Sequence, residues 1–472
     1  MRNRLVWLSG AAALTIVLVP PTTARASVAT SCSFDAGAAT VTAVIGSGTR
    51  PTLIRNGSAI EFGGSACAGA TVTNTDRIDV SAPNRATSER LTISEANGAF
   101  APGKTAEADG SDEIEISVTG LEATSEQLGF VGTGGDDTIT VDVGGADLLP
   151  GTAGEQEVTY PPAEDTKMVA AGAGNDTVWM RETYASIVHG GAGADTIVGG
   201  CFADSSYKGG PGTDTMDFSH CDPALGLTIH AFAGGSASAV RDNGGATTAT
   251  DSLSGIEEII GTPEADRFFG STGPDRSIGG DGNDLFLPSG GDDHIEGGPG
   301  YDTLSAGASA EPVMFDMSTR RVSGEGSDNF DGIEILQGSP EDDRFTGDPQ
   351  AAGVIFIDGY GGRDVVDLRA ATHRQFVLTS PEETNALPAW VKLLVKDIRK
   401  VHGSRLADRI EVGDVNGQEL RAHFDGGGGA DVLVGGLHHD VLFGGAGDDT
   451  LDGKASRDVC YGGPGVNTYI NC

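Results

Sequence analysis

Two spacings of apolar residues run along the chain. From residue 261 to 305 the sequence repeats every nine residues, in the blocks 261–269, 270–278, 279–287, 288–296 and 297–305. The sixth place is Asp in all five (Asp266, Asp275, Asp284, Asp293, Asp302). The eighth is large and apolar in four (Phe268, Phe286, Ile295, Leu304), with Ser277 the exception, and glycines crowd the first four places. A second run spans 426–470, with Asp431, Asp440, Asp449, Asp458 and Asn467 sixth and Leu433, Leu442, Leu451, Cys460 and Tyr469 eighth. Block 417–425 keeps the phase, with Phe424 inward, but has Ala422 where Asp belongs. Looser copies place Asp137, Asp176, Asp195, Asp204, Asp214, Asp343 and Asp364 in the same position.

A Gly/Asp-rich run of six cannot be helix or strand interior, because Gly loses too much conformational entropy there. It suits a tight turn with positive φ. The remaining three residues suit a short strand with one side chain inward. Two such units make a coil of about eighteen residues, and stacked coils line up the sixth-place carboxylates in columns. Such columns repel themselves unless a cation lies between them. Carboxylate and carbonyl oxygens suit Ca²⁺, at about 2.3–2.6 Å.

The rest of the chain reads differently. Residues 27–131 alternate in the strand manner at 39–45, 70–73, 77–80, 91–93 and 113–118. They predict further parallel coils without metal turns, or alternatively a small separate β-domain. The insert 143–170, with Pro150, Pro161 and Pro162, predicts a loop. Three longer segments resemble one another. Each leaves from Asp214, Asp302 or Asp364, has a short apolar strand (227–229, 313–315, 376–378), and ends on Ile256/Gly261/Asp266, Ile333/Gly338/Asp343 or Ile398/Gly403/Asp408. Residues 390–401 alone would pass for an amphipathic helix. Their repeat partners are rich in Gly and Ser, so strand is expected there.

These nonamers resemble the calcium repeat of the hemolysin-type (RTX) β-roll family. The resemblance implies an all-β, right-handed parallel β-roll or β-helix solenoid whose Gly/Asp turns bind several Ca²⁺ ions. It also implies ions shared between turns two repeats apart, so that Asp275 and Asp293 share one side and Asp284 and Asp302 the other. Asp431 and Asp449 would pair likewise, as would Asp440 and Asp458. The sequence departs from the family pattern at Arg405-Leu406, where the turn wants small residues, which points to Asp408 as a capping residue. The Pro-Glu pairs at 263–264 and 340–341 raise the same question. The resulting organisation is a leader at 1–26, β-rich coils or a cap at 27–131, and a first repeat segment with insertions at 132–260. Tandem calcium repeats at 261–305, insert-containing coils at 306–425 and tandem repeats at 426–472 follow.

Acidic residues outnumber basic ones 68 to 30, for a net charge of −38. That argues against nucleic acid and anionic membranes as partners. Arg2 and Arg4, the apolar run 5–19 and Ala24-Arg25-Ala26 read as a cleavable secretion signal, and no other stretch could cross a bilayer. Typical family members carry a C-terminal export signal; an amino-terminal one implies the general pathway and a secreted, extracellular protein. Six cysteines in an exported chain suggest disulfides, and six allow fifteen pairings. The sequence-local set Cys32–Cys67, Cys201–Cys221 and Cys460–Cys472 is the simplest.

Two functions fit. The first is a secreted calcium-binding repeat protein with a structural or surface role and an extracellular glycan or protein partner. The second is a polysaccharide-active β-helix enzyme (lyase, epimerase or hydrolase) stabilised by Ca²⁺. There is no Gly-x-Ser-x-Gly elbow and no His-Glu-x-x-His helix. His438-His439 falls inside a Gly/Asp turn. Acidic pairs such as Asp136-Asp137 and Asp292-Asp293 could serve glycan chemistry, but pairs arise freely among 68 acidic residues. Aromatics make up only 6%, without a cluster of tryptophans, which favours the first function.

Overall fold

Each nonamer of the tandem blocks folds as a turn followed by a three-residue strand. In Leu285–Leu287, His294–Glu296 and Val441–Phe443 only the middle side chain is deeply buried. The computed structural model describes residues 29–472 except 83–88, 102, 104–113, 122–126, 149–157, 161–165, 182–183, 201–203, 222–225, 233–235, 243–246, 380–392 and 413–420. The strands form two sheets that face each other along a parallel β-roll solenoid. Successive nonamers alternate between sheets, so strands two repeats apart pair in parallel: Phe268 with Phe286 and then Leu304 in one sheet, Ser277 with Ile295 in the other. In the earlier segment the step is one residue longer, with Thr177 pairing Thr196 and Thr196 pairing Thr215.

The core is the double row of inward residues from the two sheets. Phe268 stacks on Phe286 and Phe315 on Phe345, both at 4.9 Å between ring centroids. Each such side chain contributes roughly 1.5–3 kcal/mol by leaving water. Because neighbours are stacked coils, this stabilisation passes from coil to coil rather than through one central core.

The described strands of residues 29–131 belong to the same two sheets. Thr40–Val44, Arg77–Ser81 and Glu115–Thr119 pair in parallel in the first sheet. Thr52–Asn56, Arg90–Ser94 and Gln127–Val131 do so in the second, and the last of these pairs with Thr166–Ala173. At the amino-terminal edge Ser31–Asp35 and Ser65–Thr71 run antiparallel to their neighbours, and the Cys32–Cys67 disulfide joins them.

The longer segments share one topological move. A strand leaps ahead in the stack, an antiparallel strand comes back, and a third rejoins the coil that was left. Leu227–Phe232, Ser236–Asp242 and Thr247–Ser254 do this in the second sheet. Met314–Asp316, Arg321–Ser323 and Ser327–Asp331 do it in the first. The third segment is shorter among the described residues: Phe376–Thr379 leaps and pairs in parallel with Leu393–Lys396. Residues 390–392 lie outside the described residues, and Leu393–Lys396 and Ile398–His402 are strands.

The described residues of the insert 143–170 form strands rather than one loop. Gly145–Asp147 and Val158–Thr159 make the same leap-and-return with Thr138–Asp142, and Thr166–Ala173 is a full strand of the second sheet. Its alternating buried side chains, Lys167, Val169 and Ala171, were outweighed in the sequence by the nearby prolines. The 1–26 leader lies outside the described residues. The one helix among them is the four-residue Pro349–Ala352, capped by Asp348; none is long and apolar enough to cross a membrane.

Ser277 leaves a gap in the inward row. A cavity of about 30 Å³ opens there, lined by Ile229, Ile256, Ile259, Phe268 and Ser277. Ser277→Val is expected to raise stability by about 1 kcal/mol through added apolar burial. Thermal unfolding in saturating calcium checks this, and a lowered midpoint would show that the gap cannot take the added methyls.

Candidate metal centre

Most of the sixth-place aspartates are deeply buried. Asp214, Asp302 and Asp364 are 0% exposed, and Asp176, Asp195, Asp284, Asp431 and Asp449 are 1% exposed. One carboxylate oxygen of each is spoken for. The backbone N–H of a sixth-place Asp donates to Oδ1 of the Asp in the next stacked turn. This holds from Asp266 to Asp284 (2.8 Å), Asp284 to Asp302 (2.8 Å), Asp275 to Asp293 (2.9 Å) and Asp431 to Asp449 (2.9 Å). Asp137, Asp176, Asp195 and Asp214 form such a series, as do Asp343–Asp364, Asp408–Asp431 and Asp440–Asp458. At the fifth place the direction reverses: Ala194 N–H donates to Asn175 and Tyr301 N–H to Asn283.

The other oxygen divides the aspartates into two groups. Oδ2 of Asp176, Asp195, Asp214, Asp284, Asp293, Asp302, Asp364, Asp431, Asp449 and Asp458 is buried and has no donor. In Asp137, Asp266, Asp275, Asp343 and Asp408, a Ser or Thr at the second place closes the carboxylate. Thr262 gives its N–H to Asp266 Oδ2 (2.6 Å) and its hydroxyl to Oδ1 (3.0 Å). Thr133, Ser271, Ser339 and Ser404 make the matching bonds. A hydrogen bond to a charged group is worth about 1.5–3 kcal/mol, and an unsatisfied buried acceptor costs on a similar scale.

The glycines follow from this packing. A Cβ on Gly279 would lie 2.1 Å from Asp284 Oδ2, so in this turn the first place is bare. Gly280 and Gly282 have φ of +102° and +131°, which only Gly adopts cheaply.

Burial pushes the Asp284 carboxyl up to about 8, with the stacked Asp266 and Asp302 carboxylates adding to it. Burial likewise pushes Asp293, Asp364 and Asp431 up to about 7, and Asp176 and Asp302 to about 6. An isolated buried carboxylate gives up its charge unless something pairs with it.

Two placements were not legible in the sequence. Asp204 is exposed, and Ser205 holds the buried position, its N–H donating to Asp251 Oδ1 at 2.8 Å. The turns also end on acids from the inserts: Glu257 accepts from Asp214 N–H, Asp328 from Asp293 N–H and Glu334 from Asp302 N–H. The acid directly after the recurring Ile256 and Ile333 was the available signal for two of these. Cys460–Cys472 is a disulfide, Cys221 is disulfide-bonded, and Cys201 lies outside the described residues. His439 sits at the exposed rim with Nδ1 2.8 Å from the Arg457 carbonyl. Among the described residues no three His, Cys, Asp or Glu side chains converge on one point. A cation here must therefore complete its shell from turn carbonyls, which is calcium chemistry rather than that of zinc.

The model of the RTX calcium-binding nonapeptide repeat matches residues 183–204, 252–286, 288–310, 423–442 and 434–469. The chain carries RTX calcium-binding repeats. Comparison with curated proteins returns no match. RTX repeats bind several Ca²⁺ ions, and the donor-free buried oxygens of these RTX turns fit that charge. The Gly/Asp turns would hold Ca²⁺ through Asp carboxylates and main-chain carbonyls, and the ion supplies the positive charge that the buried column lacks.

The raised carboxyl groups set the pH response of the calcium-free protein. The folded state keeps protons that the unfolded chain releases near pH 4, so folding loses free energy as pH rises toward 8. In EDTA the urea midpoint should be higher at pH 5 than at pH 8, and calcium should remove or reverse that order. An equal or higher midpoint at pH 8 in EDTA would contradict the burial argument.

Proposed function

We propose that the protein is a secreted repeat scaffold with a structural, surface or interaction role, which becomes ordered on meeting calcium outside the cell. The observation that carries this reading is the set of ten buried sixth-place Asp Oδ2 atoms, among the described residues, that have no donor. They make the solenoid costly without a cation and stable with one, so metal binding and folding are coupled. Secretion is supported by the leader-like residues 1–26 and by the disulfides Cys32–Cys67 and Cys460–Cys472, which persist in oxidising compartments. Extracellular calcium modules bind at about 10⁻⁴–10⁻³ M, so the same chain would stay loose in a low-calcium cytoplasm. The partner is an extracellular glycan or protein that meets the long lateral faces of the two sheets.

The test is circular dichroism and limited proteolysis of the chain without residues 1–26, in EDTA and in millimolar Ca²⁺. Calcium should raise the β signal and protect residues 261–305 from cleavage. Equal signal and equal protection in both conditions would overturn the reading. Recovery of the protein from the cell interior with its leader intact would overturn secretion alone.

A further inference from the structure

The two kinds of carboxylate are not scattered along the chain. Six columns of stacked turns run Asp137–Asp176–Asp195–Asp214, Asp266–Asp284–Asp302, Asp275–Asp293, Asp343–Asp364, Asp408–Asp431–Asp449 and Asp440–Asp458. Every Asp after the first in its column has the donor-free Oδ2, and no first Asp does. Five of the first ones are closed by Ser or Thr at the second place. The sixth, Asp440, lacks a hydroxyl but takes the N–H of Gly436 on Oδ2 at 2.6 Å.

The backbone separates the same two groups. In the later turns the second place lies at positive φ, as at Gly191, Gly210, Gly280, Gly298, Gly427 and even Lys454, with Ser289 the exception. There its N–H is free to reach the next turn: Gly191 to the Gly209 carbonyl at 2.8 Å, Gly280 to the Gly297 carbonyl at 3.1 Å. In the six first turns the second place is not at positive φ, and its N–H turns onto the carboxylate.

The cause lies one coil earlier. Beneath Asp266, Asp343 and Asp408 there is no Gly/Asp turn, only the start of a leaping strand. The N–H groups of Leu227, Val313 and Gln375 meet Oδ1 there. Beneath Asp440 it is the N–H of Ala422. An ion shared between two turns has no lower Gly/Asp turn to draw on beneath Asp266, Asp343 and Asp408.

We propose that calcium ligates through the carboxylates of the ten later turns and through no first Asp. Asp137, Asp266, Asp275, Asp343, Asp408 and Asp440 instead close their own turns and start each column without metal. One ion then belongs to each step between stacked turns. Each column rests on a base that is formed before calcium arrives, and the three long segments, ending at Asp266, Asp343 and Asp408, restart the ladder. The proposal rests on calcium binding by the RTX repeats but goes further, by assigning which carboxylates bind.

The test counts bound Ca²⁺ by equilibrium dialysis on chains shown to be folded by protease resistance at saturating calcium. The unsubstituted chain should hold ten ions, one for each donor-free oxygen. Asp284→Asn should lose at least one, whereas Asp343→Asn and Ser339→Ala should lose none. Should Asp343→Asn fail to fold, Ser339→Ala and Thr262→Ala, which keep carboxylate and backbone, decide the matter. A second readout is the urea midpoint in EDTA, which Ser339→Ala should lower and Asp284→Asn should raise. Loss of an ion in Ser339→Ala or Thr262→Ala, or an unchanged count in Asp284→Asn, would overturn the assignment. An unsubstituted chain that binds no ion would instead overturn the calcium reading itself, and then no variant could change the count.

Discussion

The bond from one aspartate's peptide N–H to the next aspartate's Oδ1 is the constraint on which the rest depends. It sets the spacing of stacked turns with a side chain rather than with main-chain pairing alone. It also fixes the orientation of the carboxylate, so that Oδ2 is driven inward against the first glycine of its own turn. In a turn such as 279–287 the bare first place, the positive φ at Gly280 and Gly282, and the buried Asp284 are therefore one requirement. The acceptor left over cannot be satisfied by the polypeptide in the ten later turns. At about 1–3 kcal/mol for each unsatisfied buried acceptor, and more when it is charged, the cost is comparable to the whole stability of an ordinary domain. A fold of this kind is complete only with its cation.

A second constraint is geometric. Each leap-and-return adds strands to one sheet alone, at about 4.8 Å apiece, and would splay the roll if it recurred on the same side. The moves alternate instead. The second sheet takes the antiparallel strands at 52–71, the first at 138–159, the second at 227–254 and the first at 314–331, and the second then gains the parallel pair Phe376–Thr379 and Leu393–Lys396. Among the described residues the two sheets have 22 strands each. The small cavity beside Ser277 lies where the strands added at 227–254 meet a first sheet that has gained none at that level, the place where such a mismatch would collect.

Much of this was legible in the residues because the nonamer carries its own phase. Gly, Asp and the eighth-place apolar residue state turn, column and inward face at once, and Phe286, Leu304 and Leu442 lie where that phase puts them. The Ile/Gly/Asp recurrence at 256–266, 333–343 and 398–408 marked three segments as equivalent before their topology was visible. What the sequence hid was non-local. The leap of Leu227–Phe232 over two later strands follows from pairing with residues 267–269, and no nearest-neighbour pattern reports it. Thr262, Ser339 and Ser404 look like ordinary small turn residues until their hydroxyls are seen on the aspartate four places on. Asp204 satisfied the spacing and still lies exposed, because Ser205 fills the buried position by bonding to Asp251 from the far side of a long insert.

A one-dimensional stack is weakest at its ends, where a coil has only one neighbour. Calcium cannot mend that, since an ion shared between turns needs a turn on each side. At the carboxyl-terminal edge the last sixth place is Asn467, whose amide oxygen takes the N–H of Asp449 at 2.9 Å, so the ladder bond is kept without another buried charge. Cys460, in a strand of the first sheet, is joined there to Cys472, just past Thr468–Ile470 of the second. At the amino-terminal edge Cys32 and Cys67 tie an outermost strand of one sheet to an outermost strand of the other. Both clips act across the roll, where the ladder acts along it. They hold the two sheets together at the coils that metal and neighbour support least, and they do so whether or not calcium is present.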